Sequence, residues 1–432
     1  MRPIETETLC PGVLFDYIPT EDYKNASFGV GFKYKVRRGC SSADKILSRL
    51  LVRTSGDYPT HTLFSRRLEE LYLTDLTSQT VRRGDFRATL FQTELLDEPF
   101  VDDIPDFTRE VMTTVAGAIL RPAAGSEGFF ADDEIEREKR ALLDQIRSIK
   151  NSKSAYAQKR IAEITADPAR YDVPEYGTER EIGETDAALL RRRYREMLYR
   201  SEVRFVYAGS APKEKIRALI LDLFSNLLKE RKPLTGRCSF PRRAPHVPIL
   251  RVTEETDGKQ AILALSYRIP IGYGEGGHET VSMLTTVLSD APMALLFSEV
   301  REKGGYCYSI RCGVRLEKRE LVVLCGIAPG SEKAVERAVS RVFSTVRRGQ
   351  TDPGLIGASL SYCKTALVSI WENVDETVMH VLMRRLFDLS IDPDQLTERL
   401  AAVTAEELAA LTRGIRPDAV FLLTPKGGVT NG

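Results

Sequence analysis

The sequence predicts an α+β fold made by tandem duplication of one domain, with a mostly antiparallel sheet in each half. Three observations predict it. Similar segments recur in the same order in both halves, a proline-rich stretch separates them, and each half closes on a helix followed by a strand. The separating stretch, "KERKPLTGRCSFPRRAPHVPI" (229–249), carries four prolines among basic residues and no periodicity, so an extended, semi-rigid linker is expected. The expected domains are therefore 1–228 and 250–432.

In chain order, "FKYKV" (32–36) alternates as a strand and is matched by "LSYRI" (265–269), with Tyr34 over Tyr267. A helix follows in each half: "KILSRLLV" corresponds to "SMLTTVLS", placing Leu47 over Leu284 and Leu51 over Leu288. "LFSRRLEEL" (63–71) then matches "LFSEVREKG" (296–304). Long helical patterns cover about 132–166 and 354–388, and the closing strands "YRSEVRFVYAG" and "RPDAVFLLTP" put Phe205 over Phe421.

The 432 residues carry 62 basic and 61 acidic side chains, a net charge of +1 that points to no nucleic-acid or anionic-membrane partner. The first residues lack the apolar core of a signal peptide, and no apolar run is long enough to span a bilayer, so a cytoplasmic location is expected. The seven cysteines form no CxxC pair. Cys307 and Cys312 are an odd number of positions apart on one predicted strand and are expected on opposite faces. The basic run "RRRYR" (191–195) reads by default as a solvated face.

The stretch with chemical content is "LFSEVREKGGYCYSI" (296–310). Leu296, Phe297 and Val300 follow helical spacing, Gly304-Gly305 can end the helix in a left-handed turn, and Tyr306, Tyr308 and Ile310 alternate as a strand. Such a turn can bring Arg301 and Tyr308 together. The structural alternative is that Arg301 complements the helix dipole and the tyrosines are ordinary strand residues.

These residues, with the duplication, resemble the M16 (insulinase/pitrilysin, mitochondrial-processing-peptidase-like) metallopeptidases over the whole chain. The resemblance implies the LuxS/MPP-like metallohydrolase-type domain in each half. It also implies that Arg301 and Tyr308, seven residues apart, bind the substrate backbone and polarise its scissile carbonyl. In that family an inverted His-x-x-Glu-His on the first helix binds zinc. Here the corresponding helix reads "SADKILSRLLVRTSG", and its registered positions, near Ile46, Arg49 and Leu50, hold no ligand. The four histidines (His61, His246, His278, His380) form no such motif, and the distal ligand position after Glu138 is Gln145, a poor zinc donor. No metal or cofactor is expected on this chain. The resemblance implies a partner subunit with HxxEH that supplies zinc, a peptide or unfolded polypeptide as substrate, and inactivity of this chain alone. More narrowly, the stretch resembles zinc-motif-lacking bacterial members associated with the 5-aminopentanol modification of elongation factor P. The alternative is a non-catalytic scaffold or assembly protein, homodimeric or in another complex, as the core proteins of respiratory complexes are similar to M16 subunits.

Overall fold

The structure of the chain, a computed structural model, describes residues 4–125, 129–166, 175–229, 231–233, 236, 244–389 and 392–426. Of the expected linker, residues 230, 234–235 and 237–243 lie outside the described residues, as does Cys238.

Eleven strands among the described residues form two sheets. The first holds β1 (Glu5–Cys10), β2 (Val13–Pro19), β3 (Asn25–Lys35), β4 (Thr77–Arg83), β5 (Phe86–Leu96) and β6 (Glu202–Gly209). The second holds β7 (Leu250–Thr256), β8 (Ala261–Arg268), β9 (Cys307–Arg315), β10 (Glu320–Ile327) and β11 (Arg416–Pro425). The sheet orders are β1-β2-β6-β3-β5-β4 and β7-β11-β8-β10-β9. With the extra edge strand β1 set aside, the orders are identical strand for strand. β2 pairs parallel with β6, β7 pairs parallel with β11, and every other pairing is antiparallel. Two halves that repeat one uncommon strand order, including its single parallel pair, are copies of one design.

One face of the first sheet packs Phe15, Phe28, Phe32 and Phe205 under helices Ser41–Leu50, Phe107–Leu120 and Ala187–Arg200. The corresponding core of the second sheet joins Leu263, Leu265 and Leu321 to helices His278–Thr285, Glu332–Arg347 and Ala405–Arg413. Phe421 faces the other side, against Ala157 and Ile161. Phe205 and Phe421 therefore lie on opposite faces of their sheets, and their expected equivalence is one residue out of register. In a strand a slip of one position exchanges core and opposite face.

The two expected long helices are each broken. Helix Asp132–Ser148 gives way to Lys153–Ile164, whose cap is Ser152, its Oγ accepting the Ala155 N–H at 3.3 Å. Helix Pro353–Trp371 gives way to Val374–Leu386, where the Asn373 side chain accepts the Glu376 N–H at 2.9 Å. Such caps start a new helix where an unbroken one would have left no orphan N–H groups.

The breaks decide the domain organisation. Residues 1–146, 173–239 and 369–391 form one compact unit; 147–172, 240–368 and 392–432 form the other. Helix Val374–Leu386, from the second half of the sequence, packs on β3, β5 and β6. Helix Lys153–Ile164, from the first half, packs on β8, β10 and β11. The linker at 229–249 thus separates the sequence repeats, while each compact unit takes a helix from the other repeat. Gly31 belongs to this arrangement: a Cβ there would come within 2.4 Å of Leu386 Cδ1, so its absence lets the helix lie on the strand.

His380 on that helix is half-buried, 6.0 Å from the Trp371 ring. Burial first, and the Arg384 charge second, push its imidazole down to about 4 from the ordinary 6.5. The fold thus holds the neutral ring while the unfolded chain takes up a proton below 6.5. Its contribution is complete above pH 6.5 and is lost as pH falls towards about 4. His380→Gln should flatten this loss. Urea unfolding at pH 7.5 and 4.5 should show the variant recovering about 1–2 kcal/mol of the wild-type decrease, with allowance for partial exposure.

No helix among the described residues is long and apolar enough to cross a membrane.

Candidate functional site

Residues 296–310 are built as an anchored hairpin of helix and strand. Leu296 and Val300 are fully buried in the second core and fix the helix. Its turns from Phe297 to Glu302 are π-helical: the Lys303 N–H bonds the Ser298 carbonyl, five residues back, at 2.9 Å. The matching helix of the first half, His61–Glu70, is α-helical. Short π segments concentrate at functional positions because they widen a turn at a cost in regular bonding. Arg301 projects to solvent from this segment, its guanidinium carbon 4.7 Å from the Phe297 ring centre.

The helix ends as the glycine pair predicts. Gly305 is left-handed (φ +61°), its N–H bonds the Arg301 carbonyl at 3.0 Å, and the Tyr306 N–H bonds the Val300 carbonyl at 3.1 Å. A Cβ on Gly304 would sit 2.3 Å from the Tyr306 ring. Tyr306 itself is half-buried against the second core.

Tyr308 owes its position to a β-bulge. β9 is an edge strand paired only with β10: Ile310 opposes Cys325, Ser309 opposes Gly326, and Cys307 opposes Ile327. One residue, Tyr308, has no partner. Ile310, Cys312 and Val314 point to the core at alternate positions, and strict alternation would have buried Tyr308 with them. The extra residue shifts the parity, so Cys307 takes the core position and Tyr308 is turned out, 62% exposed. The expected alternation of Tyr306, Tyr308 and Ile310 on one face is corrected accordingly. So is the expectation that Cys307 and Cys312 face opposite sides, because both are buried in the same core. Burial pushes the Cys307 thiol above its ordinary range, and the Arg301 charge offsets part of that rise. Burial also raises Cys312 and Cys325, which leaves all three thiols protonated and poor nucleophiles.

The first-half helix that would carry the family's zinc motif presents other chemistry. Ile46 and Leu50 are fully buried in the core, and of the three expected positions only Arg49 carries a polar side chain, which reaches Gln145 of helix Asp132–Ser148. The row at i, i+4 spacing is Lys45, Arg49 and Arg53. Lys45 lies over the Tyr176 ring, Arg49 donates to Gln145 Oε1, and Arg53 Nη1 donates to Glu138 Oε1 at 2.9 Å. Arg49 also lies 3.9 Å from the second Glu138 oxygen. Glu138, 3% exposed, therefore has its charge answered by two guanidiniums. A site lined by fixed cations, with an amide in place of a carboxylate, does not fit a divalent metal. Among the described residues no group of three or more His, Cys, Asp or Glu could hold a metal ion.

Residues 186–367 match a family model described as the peptidase M16 inactive domain. The chain is 18% identical over 419 residues to the probable inactive metalloprotease YmfF of Bacillus subtilis, covering 97% of each protein. Its fold is similar to that of a conserved protein from Enterococcus faecalis, with a TM-score of 0.87 at 22% identity over 98% of this chain and 99% of that one. It is also similar to the peptidase M16 inactive domain from Pseudomonas fluorescens, with a TM-score of 0.78 at 15% identity over 98% of both chains. Residues 186–367 thus carry the likeness to the M16 inactive domain, and over nearly its whole length the chain is similar to a relative described as an inactive metalloprotease and shares the fold of solved M16-type structures.

Proposed function

We propose that this chain is the non-zinc subunit of a heterodimeric M16-type peptidase. In this proposal Arg301 and Tyr308 grip a peptide or unfolded polypeptide and polarise its scissile carbonyl. A partner subunit with HxxEH would supply the zinc, whose chemistry is to activate the attacking water. The observation that carries the reading is the bulge at Tyr308. An edge strand gains nothing in stability from an aromatic side chain turned out to solvent, yet the ladder is offset to place it there. A phenol and a guanidinium at the two ends of one glycine turn are donors suited to an oxygen on which negative charge builds.

Arg49 on the first-half helix and Arg53 just beyond its end, both meeting Glu138, support assigning the metal to another chain. A cytoplasmic location belongs to the same proposal. The test is reconstitution with a candidate HxxEH subunit that lacks the Arg/Tyr pair. Peptide cleavage should arise only in the mixture, with stoichiometric zinc on the partner and none on this chain. Cleavage by either chain alone, at the rate of the mixture, would overturn the reading.

A scaffold role is the second reading. What favours it is the stacking of Arg301 on Phe297, which gives the guanidinium a partner without any substrate. A stable homodimer that recruits no HxxEH subunit is the result that reading requires.

A further inference from the structure

A second feature of the second unit is lined by neither Arg301 nor Tyr308. Where helices Glu332–Arg347 and Ala405–Arg413 end beside the start of β11, a cavity of about 490 Å³ opens, a volume suited to a small molecule. Its apolar wall is made by Phe343, Ile415 and the ring of Tyr267, which lies 4.8 Å from the Phe343 ring. Its polar lining consists of arginines 347, 413 and 416 with the hydroxyls of Ser340, Ser344 and Tyr267. Among the described residues no carboxylate lines it.

The charges are only partly answered. Arg413 pairs with Glu406 at 2.6 Å. Arg416 is held by the backbone carbonyls of Arg413 and Ile415, which fix its position and leave its charge intact. The Arg347 side chain makes no hydrogen bond or ion pair with any described residue. Burial raises the Tyr267 phenol well above its ordinary range, so its hydroxyl stays protonated. Helix dipoles account for Arg347 and Arg413, which stand in last turns. They do not account for Arg416, which lies beyond the helix, nor for an aromatic-walled cavity beneath the three.

The first half contrasts with this. The ring of Tyr34, expected as the counterpart of Tyr267, is covered by Arg193, whose charge is neutralised by Asp44, and its hydroxyl is bonded to Thr89. There the guanidinium has closed over the tyrosine; in the second half the space stands open.

We propose that this cavity binds a small organic oxyanion, a phosphate ester or carboxylate with an apolar body that lies against Phe343, Tyr267 and Ile415 while its charge meets Arg347 and Arg416. Guanidiniums suit such groups because they donate in a planar fork.

Ligand-observed NMR titration of the full chain with phenyl phosphate, 3-phenylpropionate and inorganic phosphate tests this. At least one aromatic probe should bind saturably, with a Kd of the order of 1 mM for so small a ligand. Whichever of the two binds more tightly identifies the headgroup. Inorganic phosphate should bind at least threefold more weakly than that probe. The double variant Arg347→Ala/Arg416→Gln should weaken the probe tenfold or more, with the unfolding transition unchanged because both side chains are exposed. Arg347→Lys should restore part of the loss. Failure of both aromatic probes to saturate by about 50 mM, far above that expected Kd, would overturn the proposal. So would unchanged affinity in the double variant, or inorganic phosphate binding as tightly as the tighter of the two aromatic probes.

Discussion

Tyr308→Phe should lower the activity of the reconstituted peptidase about 100-fold or more, the scale on which one oxyanion donor acts. The substitution keeps the ring and the bulge and removes only the hydroxyl. If the phenol donates chiefly to the charge that develops on the carbonyl oxygen, the loss falls in kcat and leaves KM nearly unchanged. Arg301→Ala should cost a similar factor, but with KM raised as well, because a guanidinium also holds the substrate backbone before reaction. Arg301→Lys should recover only part of this, since an ammonium cannot reproduce the planar fork. Both side chains are exposed, so unfolding free energies should move by no more than about 0.5 kcal/mol. A kinetic loss without a stability loss separates this role from a structural one. Wild-type kcat in both variants would remove the pair from the mechanism.

The segment that carries this prediction was half legible in the sequence. Helical spacing of Leu296 and Val300, the glycine pair and the strand beyond it all follow from local preference, and the structure forms each of them. The bulge was not legible. Alternation reveals a strand's faces only while every residue has a partner, and one unpaired residue reverses the assignment of everything before it. That is why Cys307 was placed on the wrong face and Tyr308 in line with Ile310. The same parity sensitivity misplaced Phe421 against Phe205. The helix breaks had a readable signal: Ser152 and Asn373 are capping residues inside otherwise continuous helical patterns, and the Glu376 three positions after Asn373 strengthens the second. What no local pattern contains is the destination of the helix after each break. Exchange of helices between repeats is decided by which sheet face remains uncovered, a property of the assembled layers. The helix facing Glu138 shows a third limit. Its motif positions were registered from the family spacing, but Ile46 and Leu50 are buried in the core, and it is Arg49 and Arg53 that meet the acid instead.

Asp44→Ala should destabilise the first unit by about 3–5 kcal/mol, the cost of leaving buried charge unpaired. The run "RRRYR" looks like a solvated face, yet its central residue, Arg193, is 1% exposed. Arg193 Nε donates to Asp44 Oδ1 at 2.7 Å, and its Nη2 donates to Oδ2 at 3.2 Å. On the other side Arg87 Nη1 donates to Asp44 Oδ2 at 3.3 Å. Arg87 has further acceptors in the Ser41 carbonyl and hydroxyl, and Arg193 has Glu196. Asp44, itself 3% exposed, is thus the one carboxylate shared by two buried guanidiniums from different elements, a strand and a helix. Removal leaves Arg193 with Glu196 alone and Arg87 with neutral acceptors, and sets two like charges against each other without the anion between them. Such a loss should lower the thermal midpoint by roughly 10 °C for a unit of about 240 residues. Asp44→Asn should recover only part of it, because the amide keeps one acceptor and loses the charge. Arg193→Met, which removes a charge together with the need for one, should cost less than Asp44→Ala. If Asp44→Ala instead unfolds at the wild-type temperature, the two arginines have found other anions and the cluster is not what joins helix Ala187–Arg200 to β5 and helix Ser41–Leu50.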